Sequence, residues 1–237
     1  DDWCISIFAE AMSDFETKAK YERFAKAYEF YFDKSTRFMR GLDSKGEWRT
    51  PFNPRASTHR SDDYCEGTAW QWTWFVPHDV DGLVNLMGGE DAFVQKLDSL
   101  FTVDSSLEGE MISSDISGLI GQYAHGNEPS HHVIHLYNYV NRPWRTQELV
   151  DSVYQSQYAN STDGLSGNED CGQMSAWYIL NSMGFYQVCP GKPIYSIGRP
   201  AFDKAVINLP EEKTFSIVVK NNEKKNKYIE SVTLNGQ

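Results

Sequence analysis

Four short stretches of this chain gather residue types that could do chemistry. YCEGTAWQW (64–72) places Glu66 just ahead of a Trp-rich segment. HGNEPSHH (125–132) holds Asn127, Glu128 and His131; NRPWRTQ (141–147) holds Arg142, Trp144 and Arg145. GNEDCGQ (167–173) sets Asn168, Glu169 and Asp170 between two glycines, directly before an apolar segment. Taken singly, an acid at a helix start reads as a capping residue, because free backbone N–H groups there attract carboxylates. Several such stretches in one chain, with aromatic or imidazole neighbours, favour a site.

Glycoside hydrolysis suits this set. It needs one carboxylic acid to protonate the leaving oxygen and one carboxylate to handle water or the sugar carbon. The acid must sit where its pKa can rise, as against apolar rings. Glu66, among Tyr64, Trp70 and Trp72, has such neighbours in sequence. Asp170, in a glycine-flanked loop that lets backbone approach a ligand, suits the base. HHVIH (131–135) raises a competing reading: His131 or His132 with His135 and Glu128 could hold zinc. The H-E-x-x-H pattern is absent, however, and Asn127 with Glu128 and nearby carbonyls is an oxygen set better matched to calcium.

Composition limits the partners. The net charge is -11 over 237 residues. That argues against nucleic acid, which demands a basic footprint. No apolar run approaches the roughly 20 residues of a membrane span. Aromatics are frequent, with 7 Trp, 13 Tyr and 13 Phe; most belong in a core, and some can serve as platforms for sugar rings. Cys4, Cys65, Cys171 and Cys189 have no C-x-x-C spacing. They read as small buried residues, with a Cys171–Cys189 bridge as the lesser alternative.

The elements that must position these residues are mostly helical. Residues 2–32 show helical spacing, with one stripe at Trp3, Ile7, Phe8 and Met12 and another at Tyr21, Phe24, Tyr28 and Tyr31. The Trp-rich segment should break near Pro77 and resume behind an Asp79 cap. GGEDAFVQKLDSLF, the segment after Pro143, and MSAWYILNSMGFY complete about seven helices with long, functional-looking connections. From about residue 196 the pattern turns to period-two runs, AVINLP, TFSIVVKN and YIESVTLNG, with Asn235-Gly236 as a turn signal. This predicts a helical portion over 1–195 and a β-rich segment over 196–237. The chain opens mid-helix and closes on a strand signal without a successor, which suggests a fragment of something longer.

YCEGTAWQWTWFVPHDV, HGNEPSHH, NRPWRTQ and GNEDCGQMSAWYILNSMGFYQVCPG, in this order, resemble the signature blocks of glycoside hydrolase family 92, with similarity over nearly the whole chain. The resemblance implies a mainly α fold: part of an (α/α)6 barrel, or six-hairpin toroid, followed by the start of a C-terminal β-sandwich region. It implies a calcium-dependent, inverting exo-α-mannosidase, α-1,2 in type, acting on mannose-containing glycans. Glu66 would be the general acid and Asp170 the general base. Asn127, Glu128, Asn168, Trp70 and Trp144 would meet the sugar, and Glu128, Asn127 and His131 the calcium. Members often carry Asp where this chain has Asn168, so a non-catalytic glycan-binding protein on the same fold is the alternative. An N-terminal β-sandwich domain would complete the pocket. The family acts mostly outside the cytoplasm, which implies a secreted, periplasmic or cell-surface location.

Overall fold

The computed structural model describes residues 1–237. It is helix-rich, with only two-stranded sheets. The 2–32 run is three helices: α1 (Asp2–Ala11), α2 (Phe15–Ala25) and α3 (Tyr28–Tyr31). Ser13 takes a left-handed φ of 58° at the first break, and Asp14 accepts a hydrogen bond from Thr17 N to start α2. Of the expected α1 stripe, Phe8 and Met12 stay well exposed at 70% and 67%, so this face has no cover within residues 1–237.

A buried ion pair organises the next segment. Phe32–Asp33 pairs antiparallel with Phe38–Met39. Arg40 Nη1 donates to Asp33 Oδ2 at 2.6 Å, and Ser35 and Thr36 donate to the same carboxylate. Burial would raise the Asp33 pKa, but these donors outweigh it and hold the group below the ordinary range. This hairpin touches the chain on both sides of Glu66: Met39 N donates to Thr73 Oγ1, and Tyr64 Oη donates to Met39 O.

Five more helices follow: α4 (Ala69–Trp72), α5 (Val80–Leu86), α6 (Glu90–Thr102), α7 (Pro143–Gln157) and α8 (Gln173–Met183). Their ends obey local chemistry. A Thr68/Gln71 capping box opens α4, Asp79 accepts from Gly82 N to open α5, Pro143 is the first residue of α7, and left-handed Gly184 ends α8. Between α6 and α7, Glu128–Ser130 and Val133–Val140 wind as tight 3-10 turns. Trp74, Phe93, Leu97, Tyr123, Ile134, Tyr137, Val153 and Trp177 form one contiguous core.

The sequence expectations fail at three places. Cys4, Cys65 and Cys171 are exposed, only Cys189 is buried, and all four are free thiols, so no Cys171–Cys189 bridge forms. The β-rich tail forms one hairpin, Lys204–Asn208 with Thr214–Val218, but 228–236 is not a strand. Its apolar residues Val232 and Leu234 lie exposed and no neighbouring strand pairs with them; an isolated strand has no ladder to stabilise it. Trp70 is core, as described below.

Four buried imidazoles make folding pH-dependent. His131, His132 and His135 are each pushed down to about 4, and His125 lower still, chiefly by burial. The unfolded chain binds these protons near pH 6.5 and the folded chain does not. Stability is therefore full above about pH 6.5 and falls as pH drops toward 4. The expected loss is about 2 kcal/mol for each imidazole at pH 5, or a drop in Tm of about 10 °C or more between pH 7 and pH 5. Circular dichroism melts against pH read this directly; a flat Tm over that range would contradict the neutral buried set.

Candidate active site

Three loops converge on one place. The first carries Glu66 immediately before α4. The second carries Asn127 and Glu128 at the first 3-10 turn. The third carries Asn168, Glu169 and Asp170 immediately before α8. Asn127 joins the first two: its Nδ2 donates to Glu66 O at 3.0 Å and lies 3.5 Å from Glu66 Oε2, while its Oδ1 accepts from Glu128 N. Glu128 joins the second and third. Its carboxyl is pushed above the ordinary value, first by burial, then by the facing carboxyl of Asp170 and the charge of Glu66. Thus Glu66, Glu128 and Asp170, far apart in sequence, share one negative locus.

The backbone there is strained. Glu66 and Asp170 both sit at left-handed φ, 50° and 49°, and Cys171 follows at 56°. An L residue with a Cβ pays for this conformation by about 1 kcal/mol or more, and such strain clusters where geometry serves a site. Glycine lets the loops close up. A Cβ at Gly167, itself at φ 88°, would lie 2.7 Å from Gly126 O and 2.9 Å from Ser117 Oγ. Gly167→Ala must therefore push the Asp170 loop away from the Glu128 loop. The expected result is a fall in kcat of at least tenfold with a smaller change in KM; steady-state kinetics would show it, and unchanged kcat would mean that the loop spacing does not matter.

Glu169 and Asp170 have different surroundings. Glu169 accepts from Ser175 N and Ser175 Oγ in the first turn of α8, at 3.0 and 2.9 Å, and is a helix-capping residue. Asp170 is exposed and faces Glu128.

The structure moves two aromatic expectations. Trp70 is only 8% exposed, edge-on to Phe38 at 4.9 Å with Lys96 Nζ 4.3 Å over its ring, so it offers no face to a sugar. Burial between these rings pushes the Lys96 amine down to about 7. The ring beside the acid is Trp72, whose Nε1 donates to Cys65 O and which stacks edgewise on the exposed Phe75. The sequence names both tryptophans, and only the winding of α4 separates them. Trp144 is 43% exposed at the start of α7 beneath Arg142, and none of its ring contacts reaches the three carboxylates.

His131 lies under the site. Its Nε2 meets His125 O at 2.9 Å and its Nδ1 meets Gln173 Nε2 at 3.0 Å, so both ring nitrogens are engaged within the protein. His135 Nε2 is bonded to Asn181 Oδ1 while its Nδ1 is buried without a partner, and no three His, Cys, Asp or Glu groups stand together as the zinc alternative requires. Gln173, which the sequence did not single out, ties the start of α8 to His131 and Tyr186.

The donor set fits a hard cation. The three carboxylates belong to none of the chain's ion pairs, so their charge has no Lys or Arg to balance it. No three His, Cys, Asp or Glu groups stand together as ready ligands. A cation here would take amide, carbonyl or ligand oxygens besides one or two carboxylates, as calcium does and zinc does not.

The model of the glycosyl hydrolase family 92 catalytic domain matches residues 1–237. A protein of Arthroderma benhamiae described as an uncharacterized secreted glycosidase is 33% identical over 183 residues, covering 76% of this chain and 21% of that protein. A family GH92 alpha-mannosidase of Bacteroides thetaiotaomicron, solved with mannoimidazole, superposes with a TM-score of 0.92 at 40% identity, covering 100% of this chain and 31% of that one. A family GH92 inverting mannosidase of the same organism superposes with a TM-score of 0.84 at 38% identity, covering 100% of this chain and 33% of that one. The chain therefore spans about a third of the solved relatives and a fifth of the curated one.

Proposed function

Because the chain belongs to glycosyl hydrolase family 92, we propose that it carries the catalytic carboxylates of an exo-α-mannosidase that removes terminal α-linked mannose, α-1,2 in preference, from mannose-containing glycans. The observation that carries this reading is that Asn127 ties the Glu66 loop to the Glu128 loop through both ends of its amide, with Asp170 near enough to raise the Glu128 carboxyl above its ordinary value. The similarity to a structure described as an inverting mannosidase supports the stereochemistry.

In this reading Glu66 is the general acid and gives its proton to the glycosidic oxygen as the C1–O bond breaks. Asp170 is the general base and takes a proton from the water whose oxygen bonds C1 from the opposite face. Asn127, Glu128 and Asn168 hold the sugar. Asn127 and Glu128 are also the residues that would hold calcium, while His131 would first have to give up Gln173 or His125. A bound calcium ion supplies a fixed positive charge that orients sugar hydroxyls and offsets the carboxylates.

Residues 1–195 would then be part of an (α/α)6 barrel and 196–237 the start of a β-sandwich region. An N-terminal β-sandwich domain would complete the pocket, and the remaining barrel would cover the exposed face of α1. The secreted description of the fungal relative supports action outside the cytoplasm, and no helix is long and apolar enough to cross a membrane.

The test is mannose release from α-1,2-mannobiose by the full polypeptide, with calcium and with a chelator, following the anomer formed by NMR. Calcium-dependent release of β-mannose is expected. Sugar binding without release from any α-mannoside would replace this reading with a non-catalytic glycan-binding protein.

A further inference from the structure

We propose that Asp115 positions the loop that carries Asp170, and that it does so through the side chain of Asn168. The proposal rests on the reading of Asp170 as the base. Asn168 Nδ2 donates to Asp115 Oδ1 at 3.3 Å, and the other oxygen, Oδ2, accepts from Ser113 Oγ at 2.9 Å. Ser113 is buried, and its N donates to the buried Ser57 Oγ, so Asp115 is anchored in the body of the protein. The segment after Asp115 touches both neighbouring loops. Gly126 N donates to Ser117 O, and the Gly167 backbone lies against Ser117 Oγ. The Asp115 segment is thus the wall on which the Glu128 loop and the Asp170 loop both rest.

The residue type at 168 follows from this contact. Only a donor can face a carboxylate, so the carboxamide must turn its nitrogen to Asp115 and its Oδ1 away. That Oδ1 has no hydrogen-bond partner within the protein. A carboxylate at 168 would face the Asp115 carboxylate at about the same separation, and two like charges so close repel. Asn168 is therefore a neutral donor selected by Asp115, and not an impaired second base.

A swap tests the pair in the full polypeptide, using N168D, D115N and the double variant, with kcat and KM on an α-mannoside and Tm for each. N168D should lose about tenfold in kcat. The double variant reverses the direction of the hydrogen bond and should return to within about threefold of the parent, a non-additivity that separate structural defects would not produce. N168D as active as the parent, or a double variant no better than N168D, would overturn the proposal. Should the polypeptide hydrolyse no mannoside, the Tm cycle still decides: non-additive Tm shifts uphold the pair while the hydrolase reading fails, and additive shifts reject the pair.

Discussion

Glu66→Gln is expected to lower kcat on a sugar-leaving α-mannoside by about 10³-fold, within the range for loss of a positioned proton donor. Glutamine keeps the size and an acceptor oxygen but has no acidic proton. The residue stands at left-handed φ just before the capped α4, with Asn127 bonded to its carbonyl, so the variant side chain should keep its place. KM should change little, because the lost interaction belongs to the transition state. A dinitrophenyl mannoside leaves without help from an acid, so its turnover should recover most of the loss. Asp170→Asn should lose activity on both substrates, because water still needs a base. Retention of more than a tenth of the parent kcat by Glu66→Gln on the sugar substrate would remove Glu66 from the acid role.

Asp33→Ala should cost about 3–5 kcal/mol, because it leaves the Arg40 guanidinium buried without its counter-charge. The side chains are only 5% and 9% exposed, and Arg40 is held over the Phe52 ring at 4.3 Å. Three further donors, Ser35 N, Ser35 Oγ and Thr36 Oγ1, would lose their acceptor. The expected fall in Tm is about 6–20 °C. D33A/R40M, which removes both charges, should recover part of it. The damage should also reach the site, since the hairpin bonds Tyr64 and Thr73 on either side of Glu66. A Tm within about 2 °C of the parent would mean the pair does not hold this region.

What the sequence determined by itself was local. The bounds of α5, α6, α7 and α8 follow from Asp79, Gly89, Pro143 and Gly184, because caps and breakers act within a turn of where they stand. The stretches holding Glu66, Asn127, Glu128 and Asp170 were legible for the same reason, as polar and glycine-rich loops before helices.

Only the tertiary structure decided which of these side chains meet. Trp70 and Trp72 are two residues apart in AWQW, yet one is packed against Phe38 and the other flanks the acid, a choice made by a hairpin over 30 residues upstream. Asp115 faces Asn168 across 53 residues, and Gln173 reaches His131 across 42. Such pairs depend on how whole loops pack, and no periodicity or spacing records that. The same holds for the exposure of Cys4, Cys65 and Cys171 and for the missing strand at 228–236. Burial and strand formation need a partner surface, and residue type alone does not supply one.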